Sequence, residues 1–122
     1  MRDLEIFEYD GVGYDLTMHY DRWRVAIANF GPHFDRDRYD YLERHLLTDE
    51  VFVLLEGRAV LVIGEDQKIV ELEKNKIYNV KQAIYHAIKV TKDAKVLIVE
   101  NHNTSKDNTE YLMLEKNVAF EF

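Results

Sequence analysis

The chain has 122 residues, with 16 Lys and Arg against 23 Asp and Glu, a formal net charge of −7, and no Cys. This length predicts one domain over residues 1–122, long enough to bury a sizeable core. The acidic balance, without a basic stripe, argues against a nucleic-acid partner, and the lack of Cys excludes disulfides and thiolate metal sites.

Apolar segments are too short to cross a membrane, because no run reaches the roughly 18 residues that a span needs. Residues 1–5 lack the apolar stretch of a secretory signal. We therefore expect no membrane partner and a cytoplasmic location, and the absence of Cys fits a reducing compartment.

Short runs rich in Val, Ile, Leu, Phe and Tyr alternate with turn residues along most of the chain. The predicted strands are residues 23–30, 50–55, 59–63, 68–72, 77–80, 85–90 and 95–100. Strands at intervals of about 8–12 residues predict an all-β sandwich or barrel with few or no helices. Gly57 and Gly64 predict tight hairpins between the strands that flank them.

Two segments are ambiguous. Residues 35–47 place Tyr39, Leu42 and Leu46 on a helical period, yet the same stretch also reads as a loop that runs into a strand. Near the end of the chain, residues 103–107 are polar and loop-like, whereas residues 111–122 regain apolar character and predict a last strand.

The strands at 50–55 and 59–63 are apolar on both faces, whereas a strand with one wet face alternates. Both faces of this predicted hairpin should therefore be covered. A second sheet would cover the inside, and another element or subunit the outside. A homodimer is one expectation, and cover by the N-terminal strands is the other.

A cluster of metal-binding residue types lies between residues 43 and 86. Glu43 and His45 project from the same face of an extended chain, and a turn at residues 46–49 leads to Glu50 at the start of the next strand. His86 lies on a later strand. Two imidazoles and one or two carboxylates converging in a barrel suit Fe, Mn, Zn, Ni or Co, without choosing among them.

This segment resembles the first motif of the cupin superfamily, G-x5-H-x-H-x3,4-E-x6-G. His45, Glu50 and Gly57 match it, with four residues between the first two and six between the last two. The resemblance implies a double-stranded β-helix, a small jelly-roll barrel that holds a small-molecule ligand.

The second cupin motif, G-x5-P-x-G-x2-H-x3-N, is kept only at His86. Lys81 stands where Pro is usual, and Ala83 stands where Gly is usual. The rhythm of strands and turns resembles that of a cupin over residues 23–100, which is most of the chain.

The position of the first metal-binding His of the motif is Glu43 in this chain. The resemblance therefore implies a metal-ligand set of Glu43, His45, Glu50 and His86. Without a cation, two carboxylates in an apolar barrel would need a proton, water or a buried Lys or Arg. In the alternative without a metal, Glu43 would lie in solvent at the barrel mouth, and His45 and His86 would form hydrogen bonds with neighbouring residues.

The resemblance implies three functions. The first is a metal-dependent isomerase, lyase or oxygenase that acts on a small polar metabolite, with Glu43, His45 and His86 as catalytic candidates. The second is a metal-independent sugar-nucleotide isomerase or epimerase, with Tyr41 and Tyr78 beside the histidines. The third is a non-catalytic barrel that binds a sugar or organic acid, or a degenerate cupin.

The remaining histidines are weaker candidates. His19 is expected at a surface or edge, His33 in a loop, and His102 at the barrel mouth only if Glu100 also faces it. Tyr41, Phe52 and Tyr78 are candidates to line a pocket, since small-molecule cavities are apolar with a few polar groups.

Overall fold

The computed structural model describes residues 3–114, which are almost entirely β-structure. The strands are β1 (Tyr14–Tyr20), β2 (Trp23–Asn29), β3 (Tyr41–His45), β4 (Glu50–Glu56), β5 (Ala59–Ile63), β6 (Lys68–Glu71), β7 (Tyr78–Val80), β8 (His86–Val90), β9 (Lys95–Asn101) and β10 (Thr109–Met113). Two 3₁₀ turns, Pro32–Phe34 and Lys106–Asn108, are the helical elements of the described part of the chain. Among residues 3–114, no helix has the length and hydropathy that a membrane crossing requires.

The strands form two five-stranded antiparallel sheets that face each other. Sheet I has the order β1-β2-β9-β4-β7, and sheet II has the order β10-β3-β8-β5-β6. Alternating residues of β4 and β9, namely Phe52, Leu54, Val96 and Ile98, are buried between the sheets. Every second residue of each strand therefore faces the core. Glu50, two residues before Phe52, and Glu100, two residues after Ile98, lie on the same inner face.

The seven predicted strands are confirmed, with ends that agree or differ by one residue. Residues 35–47 hold a loop that leads into β3, so the interpretation as a loop and strand is confirmed and the helix is wrong. Tyr39, Leu42 and Leu46 have the spacing of a helix, but they do not belong to one element. Tyr39 precedes β3, Leu42 lies in it, and Leu46 follows it. Within residues 111–122, β10 ends at Met113, and residues 115–122 lie outside the described residues.

The predicted hairpin at Gly64 is confirmed, because β5 pairs with β6 from Ile63 opposite Lys68. The predicted hairpin at Gly57 is wrong, since β4 lies in sheet I and β5 in sheet II. Gly57 has φ +70°, and a Cβ there would meet the Ala94 backbone at 2.6 Å. A glycine is therefore required where the chain crosses between the sheets.

The outer side of β5 is covered from within the chain. Val62, 1% exposed, packs with Tyr39 and Leu42, so its burial requires no second subunit. The N-terminal strands do not supply this cover, since β1 and β2 lie side by side at one edge of sheet I.

The outer face of sheet I is also apolar, but it is only half-buried. Paired positions of β2, β9 and β4 place six aliphatic side chains in two adjacent rows: Val25, Val99 and Val51, and Ile27, Leu97 and Val53. The expectation of a homodimer therefore concerns this face of sheet I.

Candidate metal centre

A cavity of about 390 Å³ lies between the two sheets. It is lined by the four predicted ligands, Glu43, His45, Glu50 and His86, together with apolar and aromatic side chains from both sheets. The inward parity expected for these four residues therefore matches the structure.

The two sheets present complementary groups to this cavity. His45 and His86 lie on β3 and β8 of sheet II, whereas Glu50 lies on β4 of sheet I. Glu50 Oε1 is 2.8 Å from His86 Nε2 and 3.1 Å from His45 Nε2, so one carboxylate oxygen bridges both imidazoles. Glu43 is opposite His86 in the β3–β8 pairing, and its Oε1 lies 3.9 Å from His45 Nε2.

The Nδ1 atom of each imidazole, on the side of the ring away from Glu50, has a hydrogen-bond partner of its own. His86 Nδ1 donates to the carbonyl of Ile84 at 3.0 Å, and His45 Nδ1 lies 3.0 Å from Thr109 Oγ1 on the neighbouring strand. Such bonds fix the ring orientation and turn Nε2 toward the cavity, as in many histidine ligands of metals.

The bond to Ile84 decides what can lie between His86 and Glu50. A carbonyl only accepts, so Nδ1 of His86 carries a proton, and in a neutral ring Nε2 presents a lone pair. That lone pair would face the lone pairs of Glu50 Oε1 at 2.8 Å. Either a proton or a cation must therefore lie between the two groups.

The pKa values of this cluster are displaced in the directions of an ion pair. Burial alone would raise the pKa of Glu50, but hydrogen bonds with His45 and His86 outweigh it and lower that pKa well below its usual range. Burial opposes charge on both imidazoles, but the Glu50 carboxylate outweighs it and raises the pKa of each histidine. The site therefore favours a negative Glu50 with positive charge beside it.

The same distances fit ligands of one metal ion. Two ligand atoms that are each about 2.1 Å from a metal ion and at right angles to each other about it are about 3.0 Å apart. The distances from Glu50 Oε1 to the Nε2 atoms of His86 and His45, 2.8 and 3.1 Å, are close to this value. Donor atoms of Glu43, His45 and His86 also lie within 4.8 Å of one another. The residues present therefore fit a divalent cation held by nitrogen and oxygen.

Sequence reasoning missed a carboxylate–arginine pair on the same cavity wall. Glu100 of β9 accepts from Arg24 Nη2 at 2.8 Å and from the Tyr14 hydroxyl at 3.2 Å. Burial and then the charge of Glu50 raise the pKa of Glu100, while Arg24 acts in the opposite direction. The signal was the alternation in β9, where Val96 and Ile98 face inward and residue 100 must follow.

The loop of the altered second motif contains a residue with positive φ and is tied to the turn after β3. Ala83, where Gly is usual, has φ +65°, a left-handed conformation that glycine adopts more readily. Asp49 accepts from the backbone of Gln82 at 2.8 Å and from Asn79 Nδ2 at 3.0 Å. These bonds tie the loop that leads to His86 to the turn that follows His45, without the Pro and Gly of the motif.

The other candidates are distributed as follows. Tyr41 and Phe52 line the cavity, and His33, in the first 3₁₀ turn, lies 3.0 Å from the Tyr41 hydroxyl. Tyr78 lines a separate apolar cavity instead. His19 and His102 are exposed; Glu100 faces the cavity, but His102 is not among its lining residues.

Arg44, between Glu43 and His45 on β3, points away from the cavity and pairs with Glu110 on the outside. Lys89, a buried cation that also lines the cavity, donates to the carbonyls of His33 and Arg38 at 2.9 and 3.2 Å. Burial lowers the pKa of Lys89, whose charge is compensated by these carbonyls.

No family model and no curated protein sequence matches this chain. Solved structures do match, among them an RmlC-like cupin with a double-stranded β-helix fold from Methanocaldococcus jannaschii. It is 9% identical with a TM-score of 0.62, over 83% of this chain and 93% of that one. The chain therefore has the fold of the cupins, as its first motif predicted.

Two further solved structures share this shape, one with a nucleoside and one with Fe(II). Pac13 from Streptomyces, a nucleoside dehydratase solved with uridine, is 8% identical with a TM-score of 0.62, over 91% of this chain and 88% of that one. The Fe(II) form of HppE is 18% identical with a TM-score of 0.53, over 64% of this chain and 42% of that one. The TM-scores show a shared fold, whereas identities this low leave the function to be argued from the site.

Proposed function

We propose that this chain, which has the cupin fold, binds a divalent metal and acts on a small polar metabolite by isomerase, lyase or oxygenase chemistry. Glu43, His45, Glu50 and His86 would hold the metal, which is Fe, Mn, Zn, Ni or Co. One observation carries the proposal: the Nε2 atoms of two histidines from sheet II meet one carboxylate oxygen from sheet I.

The chain's own residues prepare this site. Thr109 and the Ile84 carbonyl hold the two rings in place, and Phe52 and Ile98 form part of an apolar wall that limits water. When bound, the metal would polarise a carbonyl or hydroxyl oxygen of the substrate. Glu43, with 23% of its side chain exposed, would move a proton to or from that substrate when it is not coordinated to the metal.

The comparisons support the proposal without specifying its reaction. A neighbour of the same fold holds Fe(II), and another, a nucleoside dehydratase, holds uridine. The cavity of this chain, about 390 Å³, falls in the size range of small-molecule sites.

A metal-independent isomerase, epimerase or dehydratase is the second candidate. The observation in its favour is that a proton between His86 and Glu50 accounts for their 2.8 Å contact as well as a cation does. Tyr41 and Tyr111 line the same cavity and would supply hydroxyl groups to a sugar or nucleoside.

A thermal-shift titration separates these candidates. We expect at least one of Fe(II), Mn(II), Zn(II), Ni(II) and Co(II) to raise the melting temperature of chelator-treated protein. A ligand at 100 times its Kd adds about 2.7 kcal/mol of stability. His86→Ala should abolish the shift, whereas His19→Ala, an exposed control on β1, should retain it.

No response to any of the five metals would overturn the metal-dependent function. Sugars, nucleosides and organic acids are then added to the same assay. A shift with one of these in metal-free protein would favour the second candidate or a non-catalytic binding barrel instead.

We also propose that the outer face of sheet I joins two copies of the chain. Its six aliphatic side chains form a continuous uncharged surface, although 32% of the residues of the chain are charged. Burying such a face against its own copy is the common symmetric solution. The occupant we infer is therefore a second copy related by a two-fold axis.

Val53→Glu places a charge on this face, beside Leu97 of β9, and should halve the mass measured by light scattering. Ile77→Glu, at a side chain that is 75% exposed and outside sheet I, is the matched control and should leave the dimer intact. A wild-type mass of one chain, or a Val53→Glu protein that remains dimeric, would contradict this interface.

A further inference from the structure

Glu100 has one carboxylate oxygen that no described residue satisfies. Its side chain is 4% exposed, and Oε2 has no hydrogen-bond partner among residues 3–114. A buried acceptor without a partner destabilises the fold, more so when it is charged, so such an atom calls for an explanation.

The other oxygen of Glu100 is fully engaged. Oε1 accepts from Arg24 Nη2 at 2.8 Å, from Arg24 Nε at 3.3 Å and from the Tyr14 hydroxyl at 3.2 Å. Arg24 and Tyr14 come from β2 and β1 of the same sheet. Because all three donors converge on Oε1, they hold that oxygen in place and leave Oε2 without a donor, 4.0 Å from His45 Nε2.

Oε2 points toward the proposed metal ligands. It lies 4.0 Å from His45 Nε2, and donor atoms of His45, Glu50 and Glu100 all lie within 4.8 Å of one another. A proton on Oε2 would relieve the repulsion from Glu50 but would itself have no acceptor among residues 3–114, because His45 Nε2 is 4.0 Å away. A cation between the two carboxylates would satisfy Oε2 and offset their repulsion together.

We infer that Glu100 is a further ligand of the metal centre, aimed by Arg24 and Tyr14; this rests on the metal-binding function proposed above. His45 is common to two donor groups, one with Glu43 and His86 and one with Glu50 and Glu100. Three carboxylates with two imidazoles make an oxygen-rich set. Such a set suits Mn(II) better than a set dominated by histidine does.

The test measures Mn(II) affinity by calorimetry on full-length, chelator-treated protein. Glu100→Gln keeps the size of the side chain and removes its charge. Glu71→Gln is the matched control, because Glu71 also pairs with an arginine, Arg58, but on the exposed strand β6. Glu100→Asp is a second variant that keeps the charge and withdraws the oxygens, in case the glutamine variant does not fold.

We expect Glu100→Gln and Glu100→Asp to weaken Mn(II) binding at least about tenfold, the scale of losses at metal-supporting residues, and Glu71→Gln to leave it unchanged. The visible spectrum of bound Co(II) should also change in the Glu100 variants, because a ligand is lost. Weaker binding with an unchanged spectrum would show a merely structural role and overturn the inference.

Equal Mn(II) affinity in wild type and both Glu100 variants would overturn the inference while leaving the metal-binding function intact. A wild type that binds none of the five metals would overturn both.

Discussion

Glu50→Ala is expected to destabilise the metal-free protein by about 3–5 kcal/mol, the usual cost of removing one partner from a buried pair. The reason is that Glu50 Oε1 is the shared partner of His45 and His86, and the side chain of His86 is 3% exposed. Without the carboxylate, both buried Nε2 atoms lose their partner. Urea denaturation in the presence of chelator measures the loss.

Glu56→Ala is the control for this prediction, since Glu56 lies on the same strand but is exposed. A surface change of this kind is expected to stay within about 0.5 kcal/mol. If Glu50→Ala cost no more than Glu56→Ala, the bridging carboxylate would not be the group that holds the two histidines together.

The second large effect is a pair of opposite pH dependences. As pH rises above about 6.5, the stability of the metal-free protein should fall, whereas its affinity for metal should rise. In metal-free protein the raised pKa values of His45 and His86 contribute stability that is complete below their ordinary pKa of 6.5 and is lost as pH rises through the raised values. The lowered pKa of Glu50 contributes stability present above its ordinary 4.5 and lost as pH falls through the lowered value. The cluster therefore stabilises the metal-free fold most between about pH 4.5 and 6.5.

Metal affinity should change in the opposite direction. A metal needs neutral imidazoles, so protons compete with it and its affinity should rise from pH 5.5 to pH 8. Two measurements test this: the stability difference between wild type and Glu50→Ala in chelator, expected to be smaller at pH 9 than at pH 6, and the metal Kd over the same range. A Kd independent of pH would contradict binding through these histidines.

Local patterns were sufficient to predict the parts of the site that lie on one short segment. Glu43 and His45 share a face because strand side chains alternate, and Glu50 follows after a turn that reverses the chain. The prediction of His86 also required the cupin motif. Because 35 residues separate His86 from Glu50, only the resemblance connects the two.

The contacts of Glu100 with Tyr14 and Arg24 depend on the pairing of strands that are distant in sequence, which local patterns do not encode. Tyr14 and Glu100 are 86 positions apart and meet because β1, β2 and β9 are neighbours in sheet I. The alternation in β9 placed residue 100 inward, but no local signal showed that Arg24 would face it.

The error at Gly57 has a similar cause. Glycine with positive φ serves a hairpin and a crossing between sheets equally well, and the pairing partners of β4 and β5 decide which one forms. Those partners, β9 and β8, come later in the chain, so the turn residue alone could not decide the outcome.

The central claim is that the cavity between the sheets holds one divalent metal ion on Glu43, His45, Glu50 and His86. The most direct measurement is elemental analysis after equilibrium dialysis of chelator-treated protein against each of Fe(II), Mn(II), Zn(II), Ni(II) and Co(II). We predict about one ion per chain for at least one metal in wild type, and loss of that ion in His86→Ala, because one Nε2 donor is removed. Protein that stays free of metal in all five dialyses, or a His86→Ala variant that retains a full equivalent, would contradict the claim.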